Sequence, residues 1–187
     1  EFIGNTMHPR FGQPWSRLAY TPMRELIAYL RANGFHNFVI SAGSTDIARI
    51  LASEAYGVSG DDVIGSNVVT TLRDEDGKPV LRRLASVHAL NDGPVKTLSI
   101  DQRIGTPPIL AVGNIRSGGD IDMLRFSQRT AEKRNLQILV RHDDFDREQI
   151  YEEKDRASLA AAEANGWMIV SMRYDWRQVF SSENGTQ

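Results

Sequence analysis

The chain has 187 residues, 41% of them hydrophobic and 25% charged, with a formal net charge of −2 at pH 7 and no cysteine. This length favours one domain with a single core, and the net charge gives no indication of the basic surface that a nucleic-acid-binding protein needs. Because the chain has no cysteine, it has no disulfide and no thiolate zinc site. No apolar run approaches the roughly 18 residues that span a membrane. From the charge and the lack of such a run, we expect neither a nucleic-acid nor a membrane partner.

The predicted elements alternate between helices and strands. In chain order they are a helix over 22–33, a strand over 35–41, a helix over 45–56, two extended segments over 63–72 and 79–84, a helix over 95–103, a strand over 109–112, a helix over 120–127, a strand over 136–140, a helix over 155–165 and a strand over 167–171. Gly57 is expected to stop the second helix, and Asp76-Gly77 to form a hairpin turn. This alternation predicts an α/β protein with a mainly parallel sheet covered on both faces.

Ligands of such folds bind beyond the carboxyl ends of the strands, and two strand ends are therefore candidates. At the first, the hydroxyl of Ser41 precedes the backbone amides of Ala42 and Gly43, which open a helix. Converging amides and a helix dipole favour an anion. The same residues are also ordinary for a turn and a helix N-cap, so both interpretations stay open.

The second strand end leads into the loop from Asn114 to Asp120, which offers an amide oxygen and a carboxylate. Hard oxygen ligands suit Mg²⁺, which often takes only one or two protein carboxylates. The alternative is that Asp120 caps the next helix. Between the two strand ends, Lys96 lies at the start of a predicted helix, where it is either a solvated surface residue or a partner for an anion.

The order of these residues resembles the haloacid dehalogenase superfamily, and more closely its phosphoserine-phosphatase-like branch. "FVISAGS" is similar to the second motif of that family, the "VK" of "NDGPVKTLSI" to the third, and "AVGNIRSGGDIDML" to the fourth. The segments "HPRFG", "PMRELIAYLRANGF" and "GWMIVSMRYDW" extend the resemblance over almost the whole chain.

The resemblance implies a three-layer Rossmannoid fold and a phosphatase that acts on a small phosphorylated substrate through an aspartyl-phosphate intermediate. It implies that Ser41, with the amides of Ala42 and Gly43, binds the phosphoryl group. It also implies that Lys96 stabilises the charge on that group. Asn114 and Asp120 would bind Mg²⁺.

Two departures from the family pattern shape these expectations. Asn114 stands where many members have a metal-binding aspartate, and the following loop is two residues longer. The first motif, Asp-x-Asp-x-Thr, which supplies the nucleophile from the central strand, does not follow any apolar run. We therefore expect a C-terminal fragment that is inactive alone, with residues 1–20 as a cap or linker remnant and 21–187 as the core domain.

A fragment of this kind should have a gap between the strands that end at Ser41 and Val112, and it could self-associate through the exposed sheet edges. Two other functions stay open: a non-catalytic binding or regulatory protein with this fold, and a 2-haloacid dehalogenase. The compartment is undetermined, with the cytoplasm as the default and the periplasm if a signal peptide lies upstream.

One further polar stretch, "RHDDFD" at 141–146, contains residue types that could together ligate a metal ion. The favoured interpretation is a polar strand end that caps a helix carrying Arg147 and Glu148.

Overall fold

The computed structural model describes residues 6–115, 118–129, 134–149 and 153–181. The helices are α1 (Thr21–Ala32), α2 (Thr45–Tyr56), α3 (Pro94–Ile104), α4 (Gly118–Ser127) and α5 (Ala157–Asn165). The strands are β1 (Val39–Ser44), β2 (Val63–Glu75), β3 (Lys78–Ala89), β4 (Leu110–Asn114), β5 (Leu136–Arg141) and β6 (Met168–Ser171). The predicted α/β class is confirmed. Among the described helices, none is both long and apolar enough to cross a membrane.

Local signals explain where several elements end. Helix α2 stops at Gly57, whose φ of 62° places it in the left-handed region that glycine adopts without steric cost. Asp76 and Gly77, with φ of 53° and 76°, join β2 to β3. Two consecutive positive φ angles are what a type I′ hairpin turn requires. The predicted turn is therefore confirmed.

The first strand differs from its prediction at both ends. It begins at Val39 instead of residue 35, and it continues three residues beyond Ser41, to Ser44. The extension comes from tertiary contacts: Ser44 pairs with Ser66 of β2, and the Ser66 hydroxyl donates a hydrogen bond of 2.7 Å to the Ala42 carbonyl. Ala42 and Gly43 therefore lie within the strand and do not open a helix.

The strands form two separate three-stranded sheets. In the first, β1 is parallel to β2 and β2 is antiparallel to β3; in the second, β4, β5 and β6 are all parallel. Within the described residues, β1 and β4 do not pair with each other. The break falls between the two strands where the sequence predicts a gap.

Helices pack on both faces of β1 and of the second sheet, whereas nearly every residue of β3 is exposed to solvent. Neighbouring residues of a strand point to opposite faces. Val39 of β1 and Ile27 of α1 pack against the same hydrophobic cluster on one face. Ile40 packs against the cluster of Ile100 in α3 and Met123 in α4 on the other face. In the second sheet, successive residues of β4 likewise enter two different hydrophobic clusters. The layers are thus helix, sheet and helix.

The same helices join the two sheets across the break. On one face, Met23 of α1 packs against the cluster of the second sheet, while Ile27, one turn later, packs against the first. On the other face, Met123 of α4 contacts the cluster that includes β1, and Leu124 contacts the cluster around β4 and β5. Side-chain packing therefore connects the two sheets where backbone hydrogen bonds do not.

Candidate active site

A buried ion pair joins the start of α3 to the start of α4. The Lys96 Nζ lies 2.6 Å from the Asp120 Oδ1, and the two residues are only 4% and 5% exposed. Gly119 makes this contact possible, because a Cβ at that position would lie 2.5 Å from the backbone nitrogen of Gly93. Any side chain there would push α4 away from α3. The interpretation of Lys96 as a solvated surface residue is therefore wrong.

Asp120 also binds the end of β4. Its Oδ2 accepts a hydrogen bond of 2.9 Å from the Asn114 backbone amide. Gly113 permits this approach, since a Cβ there would lie 2.8 Å from the Cβ of Asp120. Asp120 is the third residue of α4, and both its oxygens are engaged by other groups. The alternative that it caps this helix is wrong.

Ser41 and its neighbours form a second polar group, between β1 and β2. The hydroxyl of Ser41 accepts a hydrogen bond of 3.0 Å from the Gly43 amide. The Ala42 carbonyl accepts from Ser66, as described above. In this arrangement the amide of Gly43 already has an acceptor, so a bound phosphoryl group would have to replace the Ser41 hydroxyl.

Asn91, which the sequence analysis missed, links the two groups. It is 1% exposed, and its Nδ2 donates to the carbonyls of Ser41 at 2.9 Å and Ile64 at 3.4 Å. Its backbone amide donates to the Ser66 hydroxyl. Within the described residues its Oδ1 is buried and has no hydrogen-bond partner. Asn91 thus ties the region of Ser41 to the segment that reaches Lys96 five residues later.

The structure therefore brings Lys96, Asp120 and the backbone of Asn114 into direct contact and connects Ser41 to them through Asn91. Convergence of all four on one phosphate-sized cleft stays a prediction. Part of the loop that leads to Asp120, residues 116 and 117, lies outside the described residues.

The residues present do not by themselves fit a Mg²⁺ ion. Asp120 is the one carboxylate of the predicted ligand pair, and Lys96 and Asn114 already engage both its oxygens. Asn114 offers only a neutral amide. No group of three or more histidine, aspartate or glutamate side chains in the described part of the chain is placed to hold a metal. A magnesium site here would need a further charged oxygen ligand, such as another carboxylate or a substrate phosphate, because Asp120 is already engaged by Lys96 and Asn114.

No protein-family profile matches the sequence, and no curated protein matches it. One similar solved structure is that of a phosphoserine phosphohydrolase-like protein from Francisella tularensis subsp. tularensis SCHU S4. It shares 14% sequence identity, with a TM-score of 0.46, over 81% of this chain. The chain spans 58% of the length of that protein. A likeness at this level does not establish a family.

The polar stretch after β5 has a structural role. His142 is 2% exposed and its Nδ1 lies 2.8 Å from the Glu148 Oε2, while the Tyr20 hydroxyl binds the other oxygen of Glu148. Arg147 donates to Asp144 at 2.5 Å and to the backbone carbonyls of residues 172, 173, 176 and 177. The prediction of a polar strand end agrees with these contacts, but turns and not a helix carry Arg147 and Glu148.

Replacing Asp144 with asparagine should make stability depend less on pH. Burial acts to raise the pKa of Asp144, but hydrogen bonds from the side chain and backbone of Arg147 outweigh it and leave the pKa below its usual value. A lowered pKa means that the ionised form stabilises the fold above the unfolded-state pKa of about 3.9, and that this stabilisation disappears as the pH falls through the folded-state pKa.

We therefore expect D144N to lower the free energy of unfolding at pH 7 by about 1.5–3 kcal/mol. The difference from wild type should shrink as the pH falls below about 4. Urea denaturation at several pH values measures both. The exposed Asp146 provides the matched control, because D146N should change stability by less than about 0.5 kcal/mol. Equal effects of the two substitutions would contradict the assignment.

Proposed function

We propose that the chain forms part of a phosphomonoester hydrolase of the haloacid dehalogenase type. The observation that carries this proposal is the buried pair of Lys96 and Asp120 beside the carboxyl end of β4. A buried ion pair is often less stabilising than well-packed apolar residues of the same volume. A fixed cation in a site with little water is, by contrast, what phosphoryl transfer uses to neutralise developing charge.

In the proposed reaction, an aspartate carboxylate attacks the phosphorus of a small phosphomonoester, and the bond to the ester oxygen breaks as that oxygen takes a proton. Water then attacks the aspartyl-phosphate, which frees phosphate and regenerates the carboxylate. The break between β1 and β4 is the position from which a further strand would present this aspartate. Lys96 neutralises charge on the phosphoryl oxygens, and the Ser41 hydroxyl orients them.

Asp120 acts in this scheme as a positioning residue that holds the ammonium group of Lys96 in place. The Mg²⁺ ion that the family resemblance implies would be held by Asp120 together with another carboxylate or the substrate phosphate. No step above depends on that ion.

Replacing Lys96 with alanine in the intact protein tests the proposal. Loss of a preorganised charge at a phosphoryl site should lower the rate of phosphate release from p-nitrophenyl phosphate by about 10²-fold or more. Because Lys96 is buried and paired, the substitution should also lower stability, so the rate must be expressed per folded molecule, measured by circular dichroism. K78A, at an exposed position in β3, is the matched control and should leave the rate unchanged. Unchanged kinetics for K96A would refute the role.

A second candidate is a binding or regulatory protein that keeps this fold and lacks turnover. The neutral side chain of Asn114 and the engagement of both Asp120 oxygens favour it. Saturable binding of inorganic phosphate by the intact protein, lost in K96A and without release of phosphate from any phosphomonoester tested, would support this candidate over the enzyme.

A further inference from the structure

A cavity of about 360 Å³ lies apart from the candidate active site, and it shares no residue with that site. It is partly open to solvent and lies where the segment before α1, the first turns of α1 and the last turn of α2 meet. Small-molecule sites commonly have volumes of roughly 300–1,000 Å³, so this cavity is large enough for a small ligand. The polar side chains that line it are those of Gln13, Arg17, Arg24, Glu54 and Ser181. Ala19 and Ala55 complete its wall.

The three charged side chains that line this cavity do not pair with one another. Arg17, Arg24 and Glu54 form no ion pair or side-chain hydrogen bond with any other residue in the described part of the chain. Arg17, Arg24 and Glu54 are all exposed to solvent, so their charged groups are accessible to a ligand. The side chains that line the cavity therefore carry a net charge of +1, from two guanidinium groups and one carboxylate.

Two of these charges also have the unfavourable sign for their place in a helix. Arg24 is the fourth residue of α1, near the positive end of the helix dipole, and the first turn of this helix has no acidic residue. Glu54 lies in the last turn of α2, near the negative end, and that turn has no basic residue. Residues that break a local rule without a compensating contact are characteristic of functional sites.

We propose that this cavity binds a small zwitterion. The guanidinium groups of Arg17 and Arg24 hold its anionic group, which is a phosphate-type or carboxylate group, since both match a guanidinium fork. The carboxylate of Glu54 holds its ammonium group. The bound ligand offsets the two unfavourable helix-end charges. This site is independent of the proposed phosphatase chemistry.

Four probes separate the parts of this proposal. 2-Aminoethylphosphonate and β-alanine are zwitterions with phosphonate and carboxylate groups, and no phosphatase can hydrolyse them. Ethylphosphonate and propionate are their counterparts without the ammonium group. Titration of the ¹⁵N-labelled chain, followed by the amide signals of the lining residues, should show that at least one zwitterion binds about tenfold tighter than its counterpart. The zwitterion that binds identifies the anionic group.

Variants then place the binding in this cavity. R17Q and R24Q should each weaken binding of the zwitterion by about tenfold, and E54Q should abolish the preference over the counterpart without the ammonium group. R125Q, which removes an exposed arginine from α4 outside the cavity, controls for net charge and should have no effect.

The proposal is overturned if no probe gives saturable shifts at the lining residues, or if R125Q weakens binding as much as R24Q does. Equal binding of a zwitterion and its counterpart, unaffected by E54Q, would overturn the role of Glu54 and leave a simple anion site in place of the zwitterion site.

Discussion

Replacing Asp120 with asparagine is expected to lower the free energy of unfolding by roughly 3–5 kcal/mol, because it removes the carboxylate that pairs with the buried ammonium group of Lys96. The side chains of both residues are less than one-tenth exposed, so water cannot compensate for the lost partner. In K96M/D120N both charges are gone. This double variant should be clearly more stable than the sum of the two single effects predicts. Chemical denaturation of the four proteins measures the coupling energy.

The pair of Glu75 and Arg82 on the hairpin offers a matched control. Its side chains are 38% and 59% exposed, although its contact of 2.5 Å is as short as the buried one. Exposed pairs are worth about 0–1 kcal/mol, so the same cycle with E75Q and R82M should give a coupling energy below about 1 kcal/mol. A coupling energy for Lys96 and Asp120 that falls in this lower range would contradict a buried, energetically coupled pair.

The second expected result is that the chain alone has no phosphatase activity. The chain of 187 residues alone should release no phosphate from p-nitrophenyl phosphate, with or without Mg²⁺. Covalent phosphoryl transfer needs a carboxylate in line with phosphorus. Within the described residues, the carboxylate next to Lys96 belongs to Asp120 and has both oxygens engaged, and no base contacts the Ser41 hydroxyl.

This second prediction fails if purified chain releases phosphate in a Mg²⁺-dependent reaction that K96A abolishes. A background reaction from a contaminating phosphatase would survive in K96A, so the variant serves as the control. Activity that depends on Lys96 would require the nucleophile to lie within the 187 residues, and it would remove the reason for placing an aspartate in the break between β1 and β4.

Local signals were enough to predict most elements. Helix α2 has the predicted bounds, and its C-terminal end follows from the left-handed Gly57 that comes directly after Tyr56. The hairpin turn at Asp76-Gly77 is equally local. Strand β1 is different, since its extension past Ser41 depends on Ser66, which lies more than twenty residues along the chain. Pairing with a distant strand overrides the turn propensity of Ala42-Gly43-Ser44.

The candidate site was only partly predictable for a related reason. The resemblance to a known family selected Lys96 and Asp120, whereas the residues alone favoured a solvated surface lysine. Burial of that lysine depends on Gly119, where the absence of a Cβ lets two helices meet. Asn91 precedes a glycine-proline turn in the sequence, and such an asparagine is ordinary in turns. Nothing local indicates that its amide reaches two strands.

The division into two sheets has a consequence for cooperativity. All the strand pairings of the first sheet fall within residues 39–89, and all those of the second within 110–171. Each sheet can therefore open without breaking a strand-pairing hydrogen bond of the other. The loss is transmitted through the packing of α1, α3 and α4 and through the ion pair of Lys96 and Asp120. Amide hydrogen exchange should then divide the protein into two units with different opening free energies. Met23 packs against the second sheet, although its helix, α1, also covers the first. A substitution at Met23 should therefore lower the coupling between the opening of one sheet and the opening of the other.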